Sequence, residues 1–127
     1  MQGMDEEPKP EPTCEPDEHA ETTPAKLNEA AVLRASRLFR ALGDPARLRL
    51  AARLAEKESC VTELAAAEEE ELSTISQRLR ILRSENIVLG KRRGKHIDYA
   101  LADRHIIQLV MDALAHSSED KKEEEDV

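Results

Sequence analysis

Aromatic residues are nearly absent from this sequence. Its 127 residues include one Tyr, one Phe and no Trp, whereas 39% of the residues are hydrophobic. The apolar side chains are therefore mostly those of Ala, Leu, Ile and Val, which favours helices packed through small aliphatic groups. A chain of this length predicts one domain with a single hydrophobic core.

Long apolar runs and a leader segment are also lacking. The apolar runs are too short to cross a bilayer, and no N-terminal stretch joins a basic start to an apolar run. We therefore expect a cytoplasmic protein without a membrane partner. Only two cysteines occur, Cys14 and Cys60. In a reducing compartment they argue against a structural disulfide, although oxidation could pair them, and metal ligation or thiol chemistry becomes the more informative hypothesis.

The sequence signatures of common enzyme classes are missing as well. The chain has neither an HExxH pair nor a Gly-rich phosphate loop, and neither cysteine belongs to an evident His-activated pair. We therefore predict that the protein is not an enzyme.

Acidic residues dominate the ends of the chain and basic residues dominate its middle. The net charge is -8, but residues 1–25 hold eight acids and one lysine, and residues 117–127 hold six acids and two lysines. Residues 26–116 therefore carry +3, and residues 73–97 carry seven basic residues against Glu85 alone. Such a segment is typical of a phosphate-binding surface, although charge alone is equally consistent with a solvated basic face.

Composition divides the chain into three segments. Residues 1–25 contain five prolines and many acids, and the end of the chain is a second acidic stretch, so neither can bury enough apolar surface to offset the entropy of ordering. We expect a flexible acidic arm over 1–25, one folded domain over 26–117 and a disordered tail over 118–127.

Apolar residues at three- to four-residue spacing predict helices in the first half of the folded domain. The first helix begins at Ala25 and stops at Gly43, and Asp44 caps the second. A short third helix follows Ser59 or Thr62.

The second half combines two more helices with a β-hairpin. In the fourth helix, apolar spacing predicts a buried stripe of Leu72, Ile75, Leu79 and Leu82. Residues 87–89 and 96–101 predict two strands joined by a basic loop around Gly94. Asp103 then opens a last helix that runs to about Ser117.

This order of elements is that of a winged helix-turn-helix, whose second helix enters the DNA major groove. We therefore predict a mainly α fold with a small β-hairpin. Opposite its leucines, the fourth helix presents side chains suited to base edges and phosphates, namely Thr74, Ser76, Gln77 and Arg80. The hairpin tip adds basic side chains that we expect to be free for phosphates, Arg92, Arg93 and Lys95. The alternative is that all of them are ordinary exposed polar residues.

The last helix carries four potential metal ligands, Asp103, His105, His116 and Glu119. Two imidazoles and two carboxylates suit a borderline metal such as zinc. His105 and His116 lie on nearly the same face but about 16 Å apart, so one helix cannot close the site. Two copies packed antiparallel about a two-fold axis would bring the two ends together in two equivalent sites. Four protein ligands leave no open position for hydrolysis. Alternatively, the histidines are ordinary polar residues at an interface.

The chain resembles the ArsR/SmtB family of metal-sensing repressors over about residues 27–119. The resemblance rests on five segments in the same order, LGDPARLRL, ESCVTELA, STISQRLRILR, KRRGKHIDYAL and DRHIIQLVMDALAHSSE. It implies a homodimeric DNA-binding and dimerisation domain with an antiparallel C-terminal helix pair, and an inter-subunit metal site on the last helix. One segment departs from the family pattern. The family usually has a small or apolar turn where this chain has four acids, residues 68–71, which are expected to weaken phosphate binding.

The resemblance also implies a second metal site, formed by the N-terminal arm and the segment around Cys60. The corresponding residues here are Cys14, His19, Cys60 and Glu63. Softer ions would prefer this thiol site, although Cys60 could equally be half-buried and unliganded.

These observations predict a transcriptional repressor that binds an inverted-repeat DNA operator without metal and releases it on binding zinc. Cadmium, cobalt and copper(I) are alternative ions. Two rival functions keep the fold, namely a winged-helix regulator that senses no metal, and a sensor of soft metals or thiol chemistry that acts through Cys60. A metal-buffering protein without a DNA-binding role is a further alternative.

Overall fold

The computed structural model of the protein describes residues 26–119. In chain order the elements are α1 (Glu29–Leu42), α2 (Pro45–Glu56), β1 (Ser59–Cys60), α3 (Val61–Glu68), α4 (Leu72–Ser84), β2 (Val88–Arg93), β3 (His96–Leu101) and α5 (Arg104–Ser117). Cys14 and His19, the predicted arm and most of the predicted tail lie outside the described residues. None of the helices within residues 26–119 has the length and hydrophobicity that a membrane span requires.

Side-chain caps fix the start of three helices. The carboxylate of Asp44 accepts a hydrogen bond from the Arg47 N–H at 3.0 Å, and Asp103 does the same for the Ile106 N–H at 3.0 Å. The predicted cap at Asp44 and the predicted start of the last helix at Asp103 are confirmed. The first helix begins at Glu29 rather than Ala25, because the side chain of Asn28 accepts from the Ala31 N–H and acts as the cap.

The predicted hairpin is confirmed, and it belongs to a three-stranded antiparallel sheet in the order β1-β3-β2. Gly94 turns the chain between β2 and β3 with a φ of 61°, which a glycine adopts without strain. The third strand, β1, was not predicted, because two residues are too short to show an alternating pattern. The basic residues 91–93 lie within β2 rather than in a loop.

The core lies where α2, α3, α4 and α5 meet the sheet. Its fully buried large side chains are Leu50, Leu64, Ile75, Leu79, Leu82, Ile87 and Val110. The predicted stripe of the fourth helix is therefore confirmed except for Leu72, which is 53% exposed. Large apolar side chains also remain uncovered on α1 and α5, and they include Val32, Leu33, Phe39, Met111 and Leu114. The single protomer thus leaves an apolar surface on its two terminal helices.

Candidate DNA-binding surface and metal ligands

The helix-turn-helix consists of α3 and α4, joined by the turn at residues 69–71. The core face of α4 is fixed by its buried leucines. Among the predicted DNA contacts, Gln77 and Arg80 are exposed, while Thr74 and Ser76 are half-buried. Residues three or four apart are neighbours on a helix surface, so Gln77 lies beside both Thr74 and Arg80, and Ser76 lies beside Arg80.

One flank of this surface lies next to the sheet. Ser76, Arg80 and Arg83 line a cleft of about 240 Å³ beside Tyr99 of β3. This flank of α4 therefore faces the sheet whose hairpin, formed by β2 and β3, is the wing. Thr74 and Gln77 do not line this cleft.

Internal arginines bind two of the four acids in the helix-turn-helix segment. The side chain of Glu68 is only 4% exposed and accepts hydrogen bonds from the Nε atoms of Arg49, at 2.9 Å, and Arg53. Burial would raise the pKa of Glu68, but the two guanidinium groups hold it below its ordinary value. Glu70 accepts from Arg78 at 3.3 Å. Much of the negative charge that should repel DNA is therefore paired within the protein.

The other two acids shape the turn. Glu69 has a φ of 56°, in the left-handed region, and ends α3 with hydrogen bonds from Glu69 N–H to the Ala66 carbonyl and from Glu70 N–H to the Ala65 carbonyl. Glu71 precedes the first residue of α4, and its side chain makes no capping hydrogen bond.

Ion pairs distinguish the basic residues of the wing. Arg93 donates from Nε to Asp98 Oδ2 at 2.6 Å and from Nη2 to Asp98 Oδ1 at 3.2 Å. This bond lowers the pKa of Asp98 and raises that of Arg93. Arg93 is therefore not free, contrary to the prediction from sequence. Arg92 and Lys95 are exposed, and within residues 26–119 neither forms an ion pair.

The four predicted ligands of α5 occupy its two ends. Asp103 and His105 lie at the start, with 3.7 Å between His105 Nδ1 and Asp103 Oδ1. His116 and Glu119 lie at the other end, and all four residues are exposed. Among the described residues of one protomer, no three potential ligands come together as a metal site. Each protomer presents two separated pairs of ligand-type side chains.

Cys60 and Glu63 are held together at the start of α3. The Glu63 carboxylate accepts a hydrogen bond from the Cys60 N–H at 2.9 Å, and this bond lowers the pKa of Glu63. Cys60 is half-buried and lies directly opposite Asp98 in the pairing of β1 with β3. Cys14 and His19, the other two predicted members of this site, lie outside the described residues.

Sequence reasoning missed Asp98 and the pair Arg49 and Arg53. The alternation of HIDYAL does place Asp98 and His96 on one face of a strand. The partners of Arg49 and Arg53 carry no local signal, because Glu68 is 15 and 19 residues away along the chain.

Comparisons with known proteins agree with this architecture. Residues 44–89 match a family model described as bacterial regulatory protein, arsR family. The chain is 46% identical over 81 residues to a transcriptional repressor SmtB homolog of Synechocystis, covering 64% of this chain and 61% of that protein. It is 38% identical over 99 residues to the HTH-type transcriptional repressor SmtB of Mycobacterium tuberculosis, covering 78% of this chain and 73% of that protein.

Comparisons with solved structures agree with these sequence matches. The solution structure of apo-NmtR matches with a TM-score of 0.62 and 36% identity, covering 76% of this chain and 81% of that one. A homodimeric winged helix-turn-helix DNA-binding domain from Mycobacterium bovis, described as a possible ArsR-family regulator, matches with a TM-score of 0.67 and 29% identity, covering 70% of this chain and 83% of that one.

Proposed function

This chain belongs to the ArsR/SmtB family of transcriptional repressors, and we propose that it is a zinc-responsive repressor that releases its DNA operator on binding the metal. The observation that carries the metal part of the proposal is the placement of Asp103 and His105 at one end of α5 and of His116 and Glu119 at the other. All four are exposed and available to a partner.

We assign DNA recognition to α4 and the wing. In a helix-turn-helix, side chains of the second helix contact base edges in the major groove. Thr74 and Gln77 are the candidates for this role, because Gln can bind an adenine with two hydrogen bonds. Arg92 and Lys95 are the candidates for phosphate contacts, because they are exposed and unpaired within the described chain.

A second copy of the chain is the proposed cover of the apolar surface on α1 and α5. Phe39, Met111 and Leu114 are exposed in one protomer, and burying them would be favourable. An antiparallel pairing of the two α5 helices would place the start of one beside the end of the other. Two-fold symmetry then requires an inverted-repeat operator with half-sites about one helical turn apart, or a small multiple of that.

The proposed metal ligands are Asp103 and His105 of one subunit with His116 and Glu119 of the other. Two imidazoles and two carboxylates fit zinc, with cobalt and cadmium as alternatives. Bound there, the ion would tie the two α5 helices together. The Asp103 Oδ1 atom already accepts from the Ile106 N–H, so this carboxylate would keep its role as a cap with one oxygen.

The ligands on α5 can affect DNA binding because they belong to both subunits. Two recognition helices are spaced for one geometry of DNA, so a change in the angle between subunits alters their fit. By linkage, an ion that binds the DNA-free arrangement better must weaken operator binding by the same factor, and about 1–3 kcal/mol of coupling is typical. His116 also has a second ring nitrogen that can donate to an acceptor outside the site.

Operator titrations of two variants test this assignment. We expect His116→Gln to bind operator but to keep it when zinc is added, and Cys60→Ser to release it as the parent does. Fluorescence anisotropy at fixed salt measures both, with metal loading checked separately. If Cys60→Ser loses the response and His116→Gln keeps it, the switch lies at Cys60. If the parent binds operator and ignores every metal, the protein is a winged-helix regulator without a metal switch.

The Cys60 segment is the second candidate for sensing. Cys60 and Glu63 are adjacent, and Asp98 lies opposite Cys60 on the neighbouring strand. A thiolate with carboxylates nearby would favour cadmium, and copper(I) would rely on thiolate ligands alone. Cys14 and His19 are the proposed additional ligands from the arm. Release of operator by cadmium or copper(I), but not by zinc, in a His116→Gln background would support this candidate.

A further inference from the structure

A basic cleft lies between α1, the start of α2 and the end of α4, outside the helix-turn-helix contacts and the wing. It has a volume of about 280 Å³ and is lined by Arg37, Arg40, Ala41, Arg47, Ile81 and Glu85. Three guanidinium groups thus surround it against one carboxylate. The surface favours an anion.

Within one protomer, two of the three arginines remain available for a ligand. Arg47 is held in place, because its Nε donates to the Ala41 carbonyl at 2.7 Å and its Nη2 to the Arg40 carbonyl at 3.4 Å. Arg37 and Arg40 are exposed, and within residues 26–119 neither forms an ion pair. Free arginines can bind a phosphate with two parallel hydrogen bonds.

The cleft continues the proposed DNA-facing side of α4. Ile81 lies four residues after Gln77 and seven after Thr74, which places all three on one face of the helix. Side chains near the N-terminal end of a recognition helix read base edges, and in homeodomains the C-terminal end of that helix contacts the DNA backbone. The cleft lies at this C-terminal end.

We propose that the cleft binds a phosphate of the operator backbone through Arg37 and Arg40, which gives the protein a third DNA contact beside α4 and the wing. This inference rests on the proposed DNA-binding function. Because a phosphate carries no base information, the contact adds affinity for every sequence and leaves base preference unchanged. The competing occupant is the chain's own segment 1–25, with its eight acids.

The test compares the double variant Arg37→Ala/Arg40→Ala and its two single variants with Arg34→Ala, which is matched in charge to each single variant. Arg34 is exposed on the same helix, one turn earlier, and does not line the cleft. Operator affinity is measured by anisotropy over a range of salt concentrations, for the operator and for a scrambled duplex. We expect the double variant to bind both duplexes about tenfold more weakly and to lower the slope of log K against log salt by about 1 to 2 units.

Three outcomes would contradict the proposal. Equal effects of Arg34→Ala and of either single variant would show a general charge effect rather than a site. Tighter operator binding by the double variant would show that the cleft holds segment 1–25. If the double variant lost affinity for the operator but not for the scrambled duplex, Arg37 and Arg40 would contact bases rather than a phosphate. Arg92→Ala in the wing is the reference variant in each case. If its salt slope equals that of the parent, the result counts against the proposed DNA-binding function rather than against the cleft. Circular dichroism checks that the variants are folded, and Arg47 is left intact because it holds the end of α1.

Discussion

Arg93 and Asp98 form a two-pronged ion pair across the hairpin of the wing, with N–O distances of 2.6 and 3.2 Å. The carboxylate occupies two of the five N–H donors of a guanidinium group. Asp98 therefore competes with a DNA phosphate for Arg93.

Removing the carboxylate should strengthen DNA binding. We expect Asp98→Asn to bind operator and scrambled DNA several-fold more tightly, and to steepen the salt slope by about one unit, because Arg93 becomes available to phosphate. Glu29→Gln, on the exposed first turn of α1, makes the same charge change away from the wing. Anisotropy titrations measure both variants. An equal gain in Glu29→Gln would show that only net charge matters.

The ion pairs of Glu68 make the free energy of unfolding depend on pH. Its pKa is lowered below its ordinary value of 4.5 in the folded protein, so its ion pairs stabilise the fold above about that pH. That stability is lost as the pH falls through the lower folded pKa. When the pH is lowered from 7 to 3, the free energy of unfolding measured with urea should therefore fall less for Glu68→Gln than for the parent. At pH 7 we expect the variant to be about 1–3 kcal/mol less stable.

Glu71→Gln is the matched control for that prediction, because its side chain is exposed and does not cap α4. It should change the free energy of unfolding little at any pH. The explanation based on Arg49 and Arg53 would be wrong if both variants had the same pH profile as the parent.

The left-handed backbone of Glu69 predicts a stabilising substitution. A side chain at this φ costs energy that glycine avoids, although glycine also loses more entropy on folding. We expect Glu69→Gly to raise the free energy of unfolding by about 0.5–1 kcal/mol, measured by the urea midpoint with an unchanged m-value. Asn86→Gly, at a φ of 61°, should gain less because Asn tolerates this region. A larger gain at Asn86 would contradict the explanation.

Patterns within single elements predicted much of this fold. The cap at Asp44, the helix start at Asp103, three buried positions of α4 and the hairpin around Gly94 all follow from local rules and are confirmed. Local rules were wrong at Leu72, which shares the apolar spacing of its helix but lies at the exposed first position of α4. Spacing alone does not show where a helix leaves the core.

Interactions between distant elements could not be predicted in the same way. The pairing of β1 with β3 joins Cys60 to Asp98, and the pairing of Glu68 with Arg49 joins α3 to α2. Both depend on how the elements pack. The proposed metal site depends on a second subunit, so the sequence could supply its residue types and their spacing but not their assembly.

The two kinds of DNA contact should separate by their dependence on sequence and salt. Gln77 is exposed on α4, and its amide can satisfy two hydrogen-bonding atoms on one base. We expect Gln77→Ala to reduce discrimination against a mismatched base pair by about 1–3 kcal/mol, with little change in the salt slope. Arg92→Ala should instead weaken binding to all duplexes and lower the slope by about one unit, because it removes a phosphate contact. Arg93→Ala should lower the slope less than Arg92→Ala, since Asp98 already neutralises Arg93. Anisotropy titrations of the three variants, on operators with single base changes and at several salt concentrations, measure both quantities. If Arg92→Ala altered base preference and left the salt slope intact, the division of roles between α4 and the wing would be wrong.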